Sequence, residues 1–221
     1  MQIIAIVSPG TNAGKTLVTT SYAYNLRKKG ASVRVIKPII SGFEESNNDT
    51  IEIIKSLGLL VTEENIARVS PWRFKAPLSP DIAALKENKV INLTEIVEFC
   101  GNDKQNKAIE YLIIEIAGGI LTPINDKETM LDIVSTLNAD IILVTNHYLG
   151  SISHTLMAYN LIKLRNLALR KLIISQNEQN NLSVDDTVKT LKNFIKVPIV
   201  TIPFIDKHEE KWKCIKNLEE I

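Results

Sequence analysis

The chain has 221 residues, of which 45% are hydrophobic and 23% charged, and its formal net charge is +1. These values are ordinary for a soluble globular protein and give no electrostatic case for a nucleic-acid or membrane-surface partner. No apolar run reaches the length of a membrane span, and no basic segment precedes an apolar one as in a signal peptide, so we expect a cytoplasmic protein.

The first forty residues predict a strand, a glycine-containing turn, a helix and a second strand. The apolar run 2–7 is typical of a buried strand. Residues 15–29 predict a helix, because basic residues and then Gly30 mark its end. Residues 31–40 predict the second strand. Strand, helix and strand in this order form a parallel crossover unit.

The turn that begins at Gly10 predicts a phosphate-binding loop. The first amides of a helix have no internal partner and carry partial positive charge. Gly14 lets the backbone approach a phosphate, Lys15 adds a full charge, and the Thr16 hydroxyl can bind Mg²⁺. Three residues rather than four separate the two glycines, so this is a variant loop whose upstream turn, at Ser8, must differ. The alternative is a chance Gly-Lys-Thr tripeptide, but the flanking strand and helix favour nucleotide binding.

Strands and helices alternate along the rest of the chain. We predict helices at 50–57, 81–87, 93–102, 129–137, 151–165 and 184–195, and strands at 111–115, 140–145, 171–175 and 197–202. The proline-containing stretch 65–80 is predicted to be irregular, and 206–221 a solvated terminal helix. This alternation predicts one α/β domain over residues 1–221, doubly wound, with a mostly parallel sheet and helices on both faces.

Charged side chains gather where the predicted strands end, which is where open parallel sheets bind ligands. Lys37 and Glu115 both close apolar runs, and a charge in that position needs a partner or an ion. Glu115, with Asp49 from the loop after the second strand, suits Mg²⁺. The alternative is a structural salt bridge between Lys37 and Glu115, although desolvating such a pair is costly. A second lysine beside Lys15 favours a transferase or ligase that uses ATP on an anionic substrate over a bare nucleotide switch.

Several short motifs follow one another with characteristic spacing. They are Thr11-Asn-Ala-Gly-Lys-Thr16, Lys37-Pro38 with Ser41-Gly42, Asn48-Asp49, Ala76-Pro-Leu-Ser-Pro80, Glu115 with Ala117-Gly118-Gly119 and Thr122-Pro123, Leu149-Gly150, Asn177, and Ile202-Pro203. In this set, from residue 1 to about 205, the chain resembles the dethiobiotin synthetases, P-loop enzymes of biotin synthesis. The resemblance implies ATP- and Mg²⁺-dependent joining of CO₂ to 7,8-diaminononanoate. The diamine would form a carbamate, the carbamate would attack the γ-phosphate, and the second amine would close the cyclic urea with loss of phosphate.

The resemblance also implies a role for each matching position. Nucleotide binding would involve Asn12, Ala13, Gly14, Lys15, Thr16, Leu17, Asn177 and Pro203. Catalysis would involve Lys37, Lys15 and Thr11, and Mg²⁺ would be held by Thr16, Asp49 and Glu115. The substrate would contact Ser41, Lys37 and Gly118. Its distant carboxylate would bind, in a homodimer, the helix start of the partner subunit formed by Gly150, Ser151, Ile152 and Ser153.

The chain departs from the family's pattern at five positions. Many members have Gly at the position of Ser8, an acidic residue at Asn12, Gly at Ile116, His at Asp81 and Lys at Tyr148. None of these changes removes a residue assigned to catalysis or metal binding. They leave open the nucleotide preference and the details of substrate contact.

Two other functions are compatible with a P-loop. One is a related amidoligase of the cobyrinate diamide synthase type, which usually carries an added glutaminase domain with a nucleophilic cysteine; neither Cys100 nor Cys214 has a suitable setting, and we expect no such domain. The other is a partitioning or metallochaperone-type ATPase switch. In a switch, Lys37 and Ser41 would have no evident task.

Overall fold

The computed structural model describes residues 1–46, 48–101, 108–176, 183–206 and 210–218. Its centre is a six-stranded sheet with the order β2-β5-β1-β6-β7-β8. These strands are β1 (Gln2–Val7), β2 (Val33–Ile36), β5 (Tyr111–Glu115), β6 (Asp140–Asn146), β7 (Leu169–Ser175) and β8 (Ile199–Ile202). Every neighbouring pair in this sheet is parallel. The predicted parallel α/β sheet is therefore confirmed.

Helices pack on both faces of this sheet. They are α1 (Lys15–Lys28), α2 (Asp49–Ser56), α3 (Glu63–Val69), α4 (Pro80–Lys86), α5 (Leu93–Gly101), α6 (Met130–Thr136), α7 (Ser151–Leu164) and α8 (Val184–Phe194). Successive strand residues point to opposite faces, so Ile4 and Ile6 pack with α1, α2 and α3, while Ala5 and Val7 face α4 to α8. Within the described ranges, no helix combines the length and apolar character needed to span a membrane.

Helix α1 ends at Lys28, close to the end predicted from its last basic residues and Gly30. Gly30 has a φ of 90°, and its amide donates to the Arg27 carbonyl at 2.9 Å. The next amide, of Ala31, donates to the Leu26 carbonyl at 3.1 Å. This pair of bonds is a Schellman motif, which satisfies carbonyls that the helix leaves without partners.

The predicted second strand is two strands in the structure. β2 ends at Ile36, and β3 (Ile39–Ser41) pairs in parallel with β4 (Trp72–Phe74) in a separate two-stranded sheet. At the break the amide of Lys37 donates to the Val69 carbonyl at 3.0 Å, and Trp72 donates to the Pro38 carbonyl at 3.1 Å. Pro38 itself has no amide hydrogen for a ladder, so the chain leaves the main sheet here.

The stretch predicted to be irregular contains two regular elements, α3 and β4. Thr62 caps α3, accepting a hydrogen bond from the Asn65 amide at 3.2 Å, as short polar side chains commonly do at a helix start. The prediction was wrong because it took the prolines as a sign of irregular structure and overlooked this cap.

The prediction of a solvated terminal helix was also wrong for the segment 210–218. This segment forms a 3₁₀ helix (Lys211–Lys213) and then a turn. The buried ammonium of Lys171 donates to the Leu218 carbonyl at 2.7 Å, and Asn25 of α1 donates to the Ile215 carbonyl at 3.0 Å. The segment also buries three apolar side chains, Trp212, Ile215 and Leu218, and the last two pack in the apolar cluster on the sheet face that carries α1.

Candidate active site

A cleft of about 1170 Å³ opens at the carboxyl ends of β1, β2 and β5. It is lined by Thr11, Asn12, Ala13, Gly14, Lys15, Thr16, Leu17, Lys37, Ile40, Ser41, Gly42, Glu44, Asn48, Asp49, Pro77, Leu78, Ser79, Pro80, Glu115, Ala117, Gly118, Thr122 and Pro123. The cleft thus brings together the predicted loop, both lysines, both carboxylates, Ser41 and Gly118. The cleft is somewhat larger than the roughly 300–1,000 Å³ typical of small-molecule sites.

The predicted phosphate loop leads directly into α1. Gly14 is the N-cap with a φ of 87°, and no described side chain caps the first turn. A Cβ added at Gly14 would lie 2.7 Å from the Ser175 hydroxyl oxygen, so only glycine fits here. The first-turn amides of α1 therefore remain available to an anion, and the helix dipole favours one.

The ammonium of Lys15 contacts the start of its own loop and the turn that follows β5. Lys15 is 6% exposed, and its Nζ donates to the Gly118 carbonyl at 2.6 Å and to the Ser8 hydroxyl at 2.8 Å. Burial lowers the pKa of Lys15 to about 8, although the Glu115 carboxylate opposes this change. At neutral pH the side chain is thus a charged group beside the loop amides.

The variant loop is held by side chains on either side of it. Asn12 has a φ of 54°, a conformation that asparagine tolerates better than most residues. Its carbonyl accepts a hydrogen bond of 2.6 Å from the side-chain amide of Asn146, at the end of β6. Upstream, the Ser8 hydroxyl donates to the Gly10 carbonyl at 2.5 Å. The upstream turn therefore closes on a serine hydroxyl.

Lys37 lies between the two candidate metal carboxylates. Its Nζ is 2.9 Å from Glu115 Oε1 and also contacts Asp49 Oδ2. Burial disfavours the charge of Lys37, but the carboxylates of Glu115 and Asp49 overcome this cost and raise its pKa. Burial also works against the charge of Asp49, yet Lys37 lowers the pKa of that carboxyl. The salt bridge considered as an alternative is thus present, on the same carboxylates as the predicted metal site.

The donor set around Glu115 fits Mg²⁺. Glu115 is fully buried, its Oε1 accepts from the Thr16 hydroxyl at 2.8 Å, and its Oε2 is buried with no hydrogen-bond partner in the described chain. Mg²⁺ prefers oxygen ligands and keeps several waters. No group of three or more His, Cys, Asp or Glu side chains among the described residues could hold a metal.

Two residues in or next to the cleft had no role assigned from the sequence. Ser8 was noted only as a departure in the loop, yet its hydroxyl contacts the Lys15 ammonium. Thr122 Oγ1 accepts from the Gly119 amide at 2.8 Å and so shapes the turn beside Gly118. Thr122 could have been found from the sequence, because it belongs to the Thr122-Pro123 motif. Nothing in the sequence near Ser8 indicated that its hydroxyl would contact Lys15.

The remaining predicted residues do not line the cleft of this chain. Gly150, with a φ of 98°, is the N-cap of α7, and no described side chain caps that helix start. Beside it, Tyr148 and His154 share a hydrogen bond of 2.6 Å between Oη and Nδ1. Pro203 follows β8 outside the cleft, and Asn177 lies outside the described residues.

Solved structures with this fold include nucleotide-binding ATPases. The MinC:MinD cell division complex of Aquifex aeolicus matches with a TM-score of 0.61 at 18% identity, over 97% of this chain and 86% of that one. MinD from Pyrococcus horikoshii, complexed with Mg-ADP, matches with a TM-score of 0.54 at 16% identity, over 97% and 86%. At these identities the match shows the P-loop fold alone.

Sequence relatives identify the family within that fold. A family model described as an AAA domain matches residues 2–211. The ATP-dependent dethiobiotin synthetase BioD of Methylobacterium nodulans is 34% identical, over 80% of this chain and 81% of the relative. The protein of the same name from Legionella pneumophila (strain Corby) is 31% identical, over 88% and 90%. Together with a P-loop, two lysines and two carboxylates in one cleft, these matches show that the chain belongs to the dethiobiotin synthetase family.

Proposed function

We propose that the chain converts 7,8-diaminononanoate, CO₂ and ATP into dethiobiotin, ADP and phosphate. The observation that carries this proposal is the convergence of Lys15 and Lys37 on one cleft, each nearly buried. One ammonium can neutralise a triphosphate, and the other can hold a carbamate beside it. An ATPase switch would need only the first of them, because it has no second anion to bind.

The loop from Thr11 to Leu17 is proposed to hold the phosphates of ATP. Its amides and the first turn of α1 supply donors, and Lys15 adds a full charge. In phosphoryl transfer most of the catalysis is positioning and charge stabilisation, so Lys15 is placed to steady the transferred group. We propose that Asn177 and the backbone near Pro203 bind the adenine.

Mg²⁺ would be held by Thr16, Asp49 and Glu115 together with phosphate oxygens. When bound, it would neutralise charge on the phosphates and orient them for in-line attack. The partnerless Oε2 of Glu115 supports this assignment. Because Lys37 contacts both carboxylates, the ammonium and the metal would share these two ligands.

Lys37 is proposed to hold the substrate carbamate, with Thr11, Ser41 and Gly118 around it. One amine of the diamine bonds to CO₂ and gives the carbamate with loss of a proton. A carbamate oxygen then attacks the γ-phosphorus as ADP leaves, and the second amine attacks the carbamoyl carbon as phosphate leaves. Lys37 suits this course because its buried ammonium, held charged by two carboxylates, offsets the negative charge of the carbamate at the cleft wall.

We propose a homodimer in which the distant carboxylate of the substrate binds the start of α7 in the partner subunit. The Ser151 amide already donates to the Tyr148 carbonyl at 2.9 Å, so the amides of Ile152 and Ser153 would bind the carboxylate. No described side chain caps this helix start, and a helix N-terminus favours carboxylates. The same helix start does not line the cleft of its own chain, which supports a site completed by a second copy.

The test is phosphate release from Mg-ATP, measured with and without 7,8-diaminononanoate plus bicarbonate, with dethiobiotin followed by mass spectrometry. Release that requires both additions and gives the cyclic urea is the expected result. Release that is indifferent to both would contradict the proposal and favour the ATPase switch. Repeating the assay with CTP would establish the nucleotide preference of the variant loop.

A further inference from the structure

Ser8 makes a buried contact with the lysine of the phosphate loop. It is fully buried at the end of β1's apolar run, seven residues before Lys15. Its Oγ lies 2.8 Å from Lys15 Nζ, 2.5 Å from the Gly10 carbonyl oxygen and 3.2 Å from that of Gly118. One hydroxyl thus joins the upstream turn, the lysine and the turn that follows β5.

The direction of these hydrogen bonds follows from counting donors. A hydroxyl has one hydrogen, and the short contact to the Gly10 carbonyl takes it. The lone pairs of Ser8 Oγ are then left to accept from the ammonium of Lys15. Ser8 therefore acts toward Lys15 as an acceptor whose orientation is fixed by the loop itself.

Two of the three N–H groups of the Lys15 ammonium are engaged at short distances. The Gly118 carbonyl accepts one at 2.6 Å and the Ser8 hydroxyl accepts another at 2.8 Å. Among the described residues, the third is left with the Gly10 carbonyl, at 3.4 Å, which is a long contact for this kind of bond. The weakly held N–H is therefore the one that a phosphate oxygen can take over.

We infer that Ser8 is a positioning residue: with the Gly118 carbonyl it fixes the Lys15 ammonium so that one N–H meets the outermost phosphoryl group of ATP. This inference rests on the proposed function for its substrate, but its geometry does not depend on the diamine.

The experiment compares Ser8→Ala with the unmodified chain. Dissociation constants are measured by calorimetry, in the presence of Mg²⁺, for ADP and for a non-hydrolysable ATP analogue, which differ in the outermost phosphoryl group. A hydrogen bond to a charged group contributes enough that we expect roughly tenfold weaker binding of the analogue and little change for ADP. In the full reaction kcat should fall by at least as large a factor.

Two further variants make the result specific. Ser8→Gly also removes the hydroxyl and should behave like Ser8→Ala. Ser56→Ala is the matched control, because Ser56 is a buried serine whose hydroxyl donates to the Ile53 carbonyl at 2.7 Å, away from the cleft. It should leave both dissociation constants and kcat unchanged.

Dissociation constants in Ser8→Ala that match those of the unmodified chain for both ligands would overturn the inference. Equal weakening of ADP and analogue would also overturn it, because that result means the hydroxyl supports the whole loop rather than the ammonium. If the unmodified chain releases no phosphate with diamine and bicarbonate, the proposed function fails, while the binding ratio still decides the role of Ser8.

Discussion

Replacing Lys37 with methionine keeps the length of the side chain and removes the ammonium that pairs with Glu115 and Asp49. The loss would leave a fully buried Glu115 carboxylate with the Thr16 hydroxyl on one oxygen and no described partner on the other. Asp49 has 43% of its side chain exposed, so water can hydrate its carboxylate. Its unpairing should add little to the loss of stability. Breaking a buried pair from one side costs about 3–5 kcal/mol.

The expected deficit lies at the lower end of this range. Only the Glu115 carboxylate loses its partner in a fully buried position, whereas Asp49 remains accessible to water. The free energy of unfolding of Lys37→Met should therefore be lower by about 3 kcal/mol at pH 7.

The assay is urea unfolding of both proteins at pH 7. Lys55→Met is the control, because Lys55 is exposed on α2 and its loss should change the free energy of unfolding by less than about 0.5 kcal/mol. Turnover of Lys37→Met should fall by roughly 10²–10³ or more. A deficit below about 1 kcal/mol would refute the reasoning from a buried pair.

Three further predictions concern the loop and the dimer. Mg-ADP affinity should fall about tenfold from pH 7 to pH 9, because Lys15, with a pKa of about 8, loses its charge in that range; Lys15→Met should show no such dependence in calorimetry. Gly14→Ala should lower the free energy of unfolding by about 1–3 kcal/mol and abolish nucleotide binding, because of the positive φ and a Cβ that would lie 2.7 Å from a hydroxyl oxygen of β7. Gly101→Ala, where an added Cβ meets nothing within 4 Å, is its control, and retained ADP binding in Gly14→Ala would contradict the prediction. Finally, Ser153→Glu and Lys37→Met should each be inactive alone yet recover turnover when co-expressed, since a mixed dimer contains one site with both residues intact; no recovery would argue against a shared site.

The sheet and the phosphate loop could be predicted because their signals are local. The apolar run before Gly10 and the helix after Gly14 define a crossover unit within a short window. By contrast, the β3–β4 sheet pairs Ile39 with Trp72, and a three-residue parallel pairing leaves no periodic pattern in either segment. The C-terminal segment was mistaken for a solvated helix because charged residues surround its buried apolar ones.

The candidate site was predictable in composition but not in its contacts. Lys37 and Glu115 could be named as strand-end charges, since buried strands rarely end in charges without a reason. The sequence left their partners open between a metal and a Lys37–Glu115 salt bridge, because the choice depended on where β2 and β5 lie in the sheet. These strands are neighbours despite the distance between them along the chain. The contact between Ser8 and Lys15 was beyond local patterns for the same reason, because the turn at Gly118 completes it.

The anchoring of the C-terminal segment has a consequence for how the chain is made. Residues 210–218 follow every strand and helix in synthesis, yet Ile215 and Leu218 cover the sheet face that carries α1, the helix that begins at the phosphate loop. Until they emerge from the ribosome, the side-chain amide of Asn25 and the ammonium of Lys171 lack the carbonyls they bind in the folded chain. The nascent protein should therefore expose that face until this segment is translated, and a stall just before it would yield a species prone to capture by chaperones.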